Sequence, residues 1–406
     1  CTIADEYLPI ISPDDEVIFF TRRYNKESKN SVTDRLVEEF TYSQRKPGEQ
    51  FPKGEKMPPP FNTNNNEGGA TVTIDNNVLY FTICRPEGGK INCDIYTSSF
   101  KNGKWSEILN MGGRINEQFQ WDSQPSVSPD GKSLYFASGR EGGYGGYDIY
   151  KILKDSTGKW GAPLNLGPTI NTEGNEKSPF LHTDSRTLYF SSDSLIGMGG
   201  YDIFYSRQDD NGNWMAPKNI GYPINTEADD LGFFVSTNGK TGYFASNKLQ
   251  GLGGYDIYSF FLYPEARPDK VLFMKGQLKD DAGNPIVGKV EFKDVKTNQT
   301  YDAMVDSSTG KYVSALSFKN DFIMTVKQKD IAPVAKYISK NDTSLEKPVT
   351  LDLTLKPIEV GSSFTISNIN FSTNSYQLTD TSKLILSGVI DFLNENPSVK
   401  LGIYGH

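Results

Sequence analysis

The stretch Leu134–Tyr150, LYFASGREGGYGGYDIY, reads as a strand, a glycine-rich loop and a second strand. It recurs along the chain. Leu79-Tyr80-Phe81 leads to Asp94-Ile95-Tyr96, and Leu188-Tyr189-Phe190 leads to Tyr201-Asp202-Ile203-Phe204. Tyr243-Phe244 leads to Tyr255-Asp256-Ile257-Tyr258. The aspartates at 94, 148, 202 and 256 fall every 54 residues. A fixed period of this size marks a repeat architecture with one supersecondary unit per copy.

Each copy is anchored by an acidic or amide turn residue: Asp14, Asp75, Asp130, Asp184 and Asn238. Five positions later stand Phe19, Tyr80, Tyr135, Tyr189 and Tyr243. The first copy, Ser12–Phe20, is the most divergent. Asp130-Gly131 and Asn238-Gly239 suit tight turns because glycine and asparagine take positive φ at low cost. The aromatic and β-branched residues after them suit a pleated, half-buried surface. A third strand at Asp-Ile-Tyr and a fourth around Trp105, Trp160 and Trp214 complete each unit. Four short antiparallel strands in each of five units predict a mainly β chain led by a five-bladed β-propeller over residues 1–264; six blades is the alternative. The tyrosines, phenylalanines and tryptophans are then blade core. The glycine-rich loops lead into strands and not helices, so they do not match a phosphate-binding fingerprint.

Asn62, Asn171 and Asn225 each begin an Asn-Thr pair at a constant distance before the turn residue, and the same rule applied to Asp14 lands on Cys1. A tryptophan is due near position 268, where Pro268 ends the breaker string Tyr263–Pro268. The fifth blade is therefore expected to lack its own fourth strand and to be completed by sequence preceding Cys1, which removes an open edge. The mid-repeat position of Cys1 argues against a lipidated N-terminus. The chain reads as a fragment, so its lack of a signal peptide carries no weight. Cys84 and Cys93 align with Gly139 and Tyr147, at the mouth of one hairpin. A disulfide is expected there, with two buried thiols as the alternative.

Net charge is −8 and the isoelectric point about 5.1, which speaks against a nucleic-acid partner. No run of apolar residues is long enough for a membrane-spanning helix. The two histidines, His182 and His406, lie far apart, and no zinc-protease, nucleophile-elbow or Walker motif occurs. No catalytic, cofactor-binding or metal-ligating residue is assigned. The cluster Glu227-Ala228-Asp229-Asp230 lacks a calcium-loop layout and reads as a solvated turn.

Residues 270–357 change character, with short strands at close intervals that suggest a small sandwich. Gly276-Gln277-Leu278, the Gly283-Asn284-Pro285-Ile286 turn and Thr309-Gly310-Lys311-Tyr312 resemble the carboxypeptidase regulatory-like domain. That resemblance implies a transthyretin-like β-sandwich acting as a non-catalytic spacer or docking surface. Residues 357–361 form a linker. In 362–406, Ile369–Leu378 precedes an amphipathic helix through Leu384, Leu386, Val389, Ile390, Phe392 and Leu393. Asp380 is the expected N-cap, and Asn396-Pro397 the stop. Val399, Leu401 and Ile403 then alternate as a strand, up to Tyr404-Gly405-His406. This order resembles the opening of an OmpA-like peptidoglycan-binding domain, about its first third. The resemblance implies that Phe371, Asn374, Ser375 and His406 border a stem-peptide pocket. The Asp and Arg that grip diaminopimelate would follow His406. The same four residues fit a strand and its turn equally well.

Propeller, regulatory-like sandwich and OmpA-like segment, in that order, resemble PorE-type proteins of Bacteroidetes. The resemblance implies a non-catalytic periplasmic scaffold, associated with the outer membrane, that tethers a type IX secretion or gliding assembly to peptidoglycan. The implied partners are peptidoglycan and an outer-membrane protein complex, with a PorP-type barrel as one candidate. A TolB-like propeller that binds a protein or glycan ligand is the alternative. A propeller that gates an enzyme is a third, disfavoured by the OmpA-like end.

Overall fold

The turn residues open four of the five hairpins by one device. In the computed structural model, which describes residues 2–402 apart from 27–34, 47, 64, 333, 343–348, 360, 362–365, 367–368 and 373, the hydroxyls of Ser12, Thr73, Ser128 and Ser236 donate to Asp14, Asp75, Asp130 and Asn238. The same hydroxyls accept the backbone N–H of Val17, Val78, Ser133 and Thr241. A short polar side chain thus satisfies the backbone groups of a tight turn and fixes where the second strand starts. In the fourth copy His182 stands in place of the hydroxyl. Its Nδ1 accepts the N–H of Asp184, and its Nε2 bonds the carbonyl of Ser236 in the next blade. That accounts for a fully buried histidine as part of the frame.

Four blades have the full strand set. Asp5–Ile11, Val17–Lys26, Arg35–Gln44 and Glu55–Lys56 make the first. Asn66–Val72, Val78–Glu87 and Lys90–Lys101 make the second, with Lys104–Trp105 and Leu109–Asn110 both on the outer side. Asp122–Val127, Ser133–Ser138, Asp148–Leu153 and Leu164–Asn165 make the third. Glu176–Leu181, Thr187–Ser192, Asp202–Arg207 and Lys218–Asn219 make the fourth. Among the described residues the fifth has three: Phe234–Val235, Thr241–Ser246 and Asp256–Phe261.

In the second blade Trp105 lies in an outer strand as expected, but in the next two the outer strand does not centre on the tryptophan. In the third and fourth blades it lies at Leu164–Asn165 and Lys218–Asn219, while Trp160 and Trp214 make single bridges to Lys154 and Gln208. Their indoles turn edge-on to Tyr80 and Tyr135 of the preceding blade, at 6.1 and 6.4 Å between centroids. An indole is too large to leave on a two-residue edge strand, and the seam between blades buries it instead. In the fifth blade the 3-10 turn Pro264–Ala266 takes that place. The hydroxyl of Tyr189 donates to the carbonyl of Ala266 at 2.6 Å, and Arg207 donates to the carbonyls of Glu265 and Arg267.

One asparagine locks the outer end of each of the first four sheets. The side-chain oxygens of Asn62, Asn116, Asn171 and Asn225 accept from the N–H of Phe40, Ile95, Ile149 and Ile203. Their Nδ2 groups donate back to the carbonyls of the same four residues. The carbonyls also receive the N–H of Met57, Met111, Leu166 and Ile220, just past the outer strands. Each amide therefore completes the ladder where the outer strand has run out. Cys1, which aligns with these asparagines, lies outside the described residues.

The chain divides into two compact units, 1–269 and 270–406. In the second, Val271–Lys279 pairs antiparallel with Lys311–Ser317 and parallel with Val349–Thr350 and Leu353–Thr354. A second sheet runs Thr300–Asp302, Lys289–Asp294, Phe322–Lys327, Val334–Ile338. Leu272, Phe292, Tyr312, Phe322 and Leu355 share one core between the sheets. The helix Asp380–Glu395 starts one residue earlier in its capping than expected: Thr379 is the N-cap, its hydroxyl accepting the N–H of Ser382, and Asp380 is the first helical residue. Ser382 Oγ in turn bonds both backbone groups of Asn370, which ties the helix start to the preceding segment. Ile385 is buried and Gly388 sits against Thr325. The expected strand from Val399 has no pairing in Val399–Gly402, and Ile403 lies outside the described residues.

Asn225 is wholly buried, and Asn225→Ala leaves the N–H and C=O of Ile203 without their amide. Urea unfolding should show a loss of about 1–3 kcal/mol, the cost of stranding the buried N–H of Ile203, since its carbonyl keeps the N–H of Ile220. A change within about 0.5 kcal/mol would remove the asparagine from the list of structural determinants.

Candidate functional site

A propeller offers chemistry first at its axis, where the inner strands converge. Glu6, Glu67, Asp122, Glu176 and Asp230 occupy the same place in the five copies, and all are buried. Each carboxylate closes the loop that enters its blade. Glu67 accepts the N–H of Asn62 and Thr63, Asp122 that of Glu117, Glu176 that of Thr172, and Asp230 that of Thr226. Glu6 is held by Arg22 at 2.9 Å and Asp122 by Arg140 at 2.7 Å. Ser192 donates to Glu176. Burial pushes the carboxyls of Asp122 and Glu176 up, against the pull of Arg140 on the first and of Thr172 and Ser192 on the second. Burial also pushes Asp230 up to about 6, with Asp202 and Asp229 adding to the rise against the hydrogen bonds from Thr226. Asp230 is thus no solvated turn residue, as its acidic neighbours suggest. It is 3% exposed, while Asp229 accepts the N–H of Tyr201 from the adjacent loop.

Two residues beyond each acid the backbone turns left-handed. Leu8, Gly69, Gln124, Ser178 and Gly232 all have φ between 51° and 71°. Three of the five are not glycine, a strained choice that persists only where surroundings impose it. The imposing contacts are visible. Gln124 donates its N–H to the hydroxyl oxygen of Thr82 and accepts the N–H of Ser178 on its side-chain oxygen. A Cβ on Gly232 would meet Leu8 at 2.9 Å. The same five residues, with Pro9, Pro125, Pro179, Phe180 and Phe234, line a pocket of about 80 Å³. Its wall is apolar and lacks convergent charged groups.

The glycine-rich loops form a different surface. Tyr147 and Tyr201, from the Gly-Gly-Tyr-Asp motifs, and Trp121 surround Lys177, whose ammonium lies 4.4, 5.0 and 5.5 Å from their ring centroids. Burial lowers the pKa of Lys177, and Asp193 and Asp229 oppose it. Tyr7 packs edge-on to Tyr255 and carries Arg23 over its ring. Tyr144, Met198 and Leu252, at one shared position of three successive loops, are 52%, 52% and 68% exposed. Their glycine neighbours have no room for side chains: a Cβ on Gly145 or Gly199 would lie 2.1 or 2.5 Å from a backbone oxygen of the next blade's loop. Glycine at those places lets the loops nest and pushes the larger residue outward.

Cys84 and Cys93 are joined by a disulfide between paired residues of Val78–Glu87 and Lys90–Lys101, with Cα atoms 4.0 Å apart. Phe371 forms a single bridge to Leu378 around a turn in which Asn374 has φ 54° and Ser375 accepts the N–H of Gln377. Phe371 is 58% exposed. His406 lies outside the described residues. Among the described residues no three His, Cys, Asp or Glu side chains gather to hold a metal, and no helix is long and apolar enough to cross a membrane.

No family model and no curated protein matches the chain. Solved structures with a similar fold include an α-L-arabinofuranosidase from Podospora anserina, 10% identical over 64% of this chain and 90% of that one, TM-score 0.41. Another is an α-L-arabinofuranosidase from Lactobacillus brevis, 13% identical over 66% and 94%, TM-score 0.42. A family 117 glycoside hydrolase from Zobellia galactanivorans is 14% identical over 64% and 84%, TM-score 0.42. The likeness is one of β-propeller fold.

Two outcomes follow from this geometry. Asp230 holds its proton more tightly when folded than when unfolded, where aspartate titrates near 3.9. Its contribution to stability is fullest below about pH 4 and falls as pH rises through about 6. Asp230→Asn should flatten the unfolding free energy across that window. An equally steep profile in the variant would assign the slope to other groups. Reduction of the disulfide should raise the intact mass by about 2 Da and lower stability by roughly 2–3 kcal/mol, as a short closed loop dictates. An unchanged mass would mean free thiols.

Proposed function

We propose that this chain is a non-catalytic periplasmic scaffold, associated with the outer membrane, that ties an outer-membrane assembly of the type IX secretion or gliding kind to peptidoglycan. In this reading the second unit comprises a transthyretin-like docking domain and the start of an OmpA-like wall-binding domain. The observation that carries it is the state of the axial carboxylates. Acid–base chemistry on a propeller axis needs carboxylates that can meet a substrate. Here all five are engaged by loop N–H groups, hydroxyls or arginines. The disulfide fits an oxidising compartment. The exposed Tyr144, Met198 and Leu252 favour the second reading, a propeller whose loop face holds a protein or glycan ligand.

Affinity purification of the intact chain from detergent-solubilised outer membranes separates the two. A stoichiometric outer-membrane protein, reduced at least tenfold by combined Tyr144→Ser, Met198→Ser and Leu252→Ser substitution, is the expected result. Recovery of a soluble glycan or soluble protein alone would favour the ligand-binding reading, and recovery of neither would exclude both.

A further inference from the structure

We propose that the outer edge of the fifth blade is a β-augmentation site for a separate extended strand of blade-repeat sequence, antiparallel to Asp256–Phe261 and carrying asparagine opposite Tyr258. The second, third and fourth blades define the register; the first has Lys56 opposite Thr41. Asn110 stands opposite Tyr96, Asn165 opposite Tyr150 and Asn219 opposite Phe204. The residue before each asparagine stands opposite the next residue of the third strand, as Leu164 does opposite Lys151. In the fifth blade the matching residues are Tyr258 and Ser259. Leu262 directs its N–H inward to Lys240, so by strand alternation Ser259 and Phe261 direct theirs outward. Among the described residues no strand meets them, and Phe261 is 82% exposed.

A second, chemical observation names the key residue. Asn110 and Asn165 donate from Nδ2 to Asp94 and Asp148, the aspartates that open their third strands. The corresponding Asp256 is 2% exposed, takes the N–H groups of Leu252 and Gly253 on one oxygen, and leaves Oδ1 without a partner. In the second and third blades the amide reaches Oδ2, while Oδ1 is taken by Asn92 in the second and by the N–H of Gly145 in the third. In the fourth blade Asn219 points instead to the carbonyl of Ile196. An incoming asparagine opposite Tyr258 stands where Asn110 and Asn165 reach their aspartates. A second copy of this chain does not match: its own edge, Asp256–Phe261, has no amide side chain to bring. Backbone pairing supplies affinity in such sites and the alternate side chains supply selectivity.

The test uses the intact chain and a fluorescent peptide of residues 160–171. Anisotropy should report saturable binding with Kd below about 1 mM. A peptide with Asn165→Ala should bind at least tenfold more weakly, and one N-methylated at Leu164, which loses the N–H facing Ser259, should not bind. Ser259→Pro in the protein should abolish binding as well. No saturation by the unmodified peptide overturns the proposal, and so does equal binding by all three peptides. Concentration-dependent dimerisation that Ser259→Pro abolishes would overturn the occupant in favour of a second copy.

Discussion

An asparagine amide laid against both backbone groups of one strand residue holds each of the first four blades to the next. The outer strands are two residues long in the third and fourth blades, too short to satisfy a third strand of six. The amide finishes the ladder and at the same time marks the crossover into the following blade. From there the chain enters the loop that the buried axial acid closes. One side chain therefore couples the sheet edge, where hydrogen bonds run out, to the axis, where charge would otherwise be unpaired. Buried polar groups of this kind stabilise only when every member has its partner.

That economy limits what the axis can do. The carboxylates that could act on a ligand organise the loops that enter each blade. At the centre stand five residues of left-handed backbone, Leu8, Gly69, Gln124, Ser178 and Gly232. What remains chemically available is the loop face, with a lysine among aromatic rings and apolar residues raised by the nesting glycines.

Much of the propeller was legible in the primary structure because the repeat period, the turn pairs and the aromatic strands act locally. Asp130-Gly131 and the Gly-Gly-Tyr-Asp motifs sit where their spacing placed them. Trp160 and Trp214 misled because their spacing is regular for a reason outside their own blade: Trp160 packs on Tyr80, eighty positions away. Asp230 misled because acidic neighbours in sequence suggest solvent, whereas the bulk of two blades decides its exposure. Thr379 and Asp380 are both good caps, and the choice falls on the one whose hydroxyl reaches Ser382. The Asn-Thr signal was visible as spacing, but its purpose depends on which backbone groups the outer strand leaves over. The parallel pairing of Val349–Thr350 with Val271–Lys279 had no local sign at all.

The indoles that cross the seams have a consequence for how the ring comes apart. A repeat protein whose units touch only through backbone proximity can lose units one at a time from an end, like beads. Here a ring from one blade covers the tyrosine of its predecessor, so the intrinsic stability of a blade includes part of its neighbour. Nearest-neighbour coupling then outweighs the stability of any single unit, and the expected behaviour is all-or-none melting of the whole circle with few stable partial arrays.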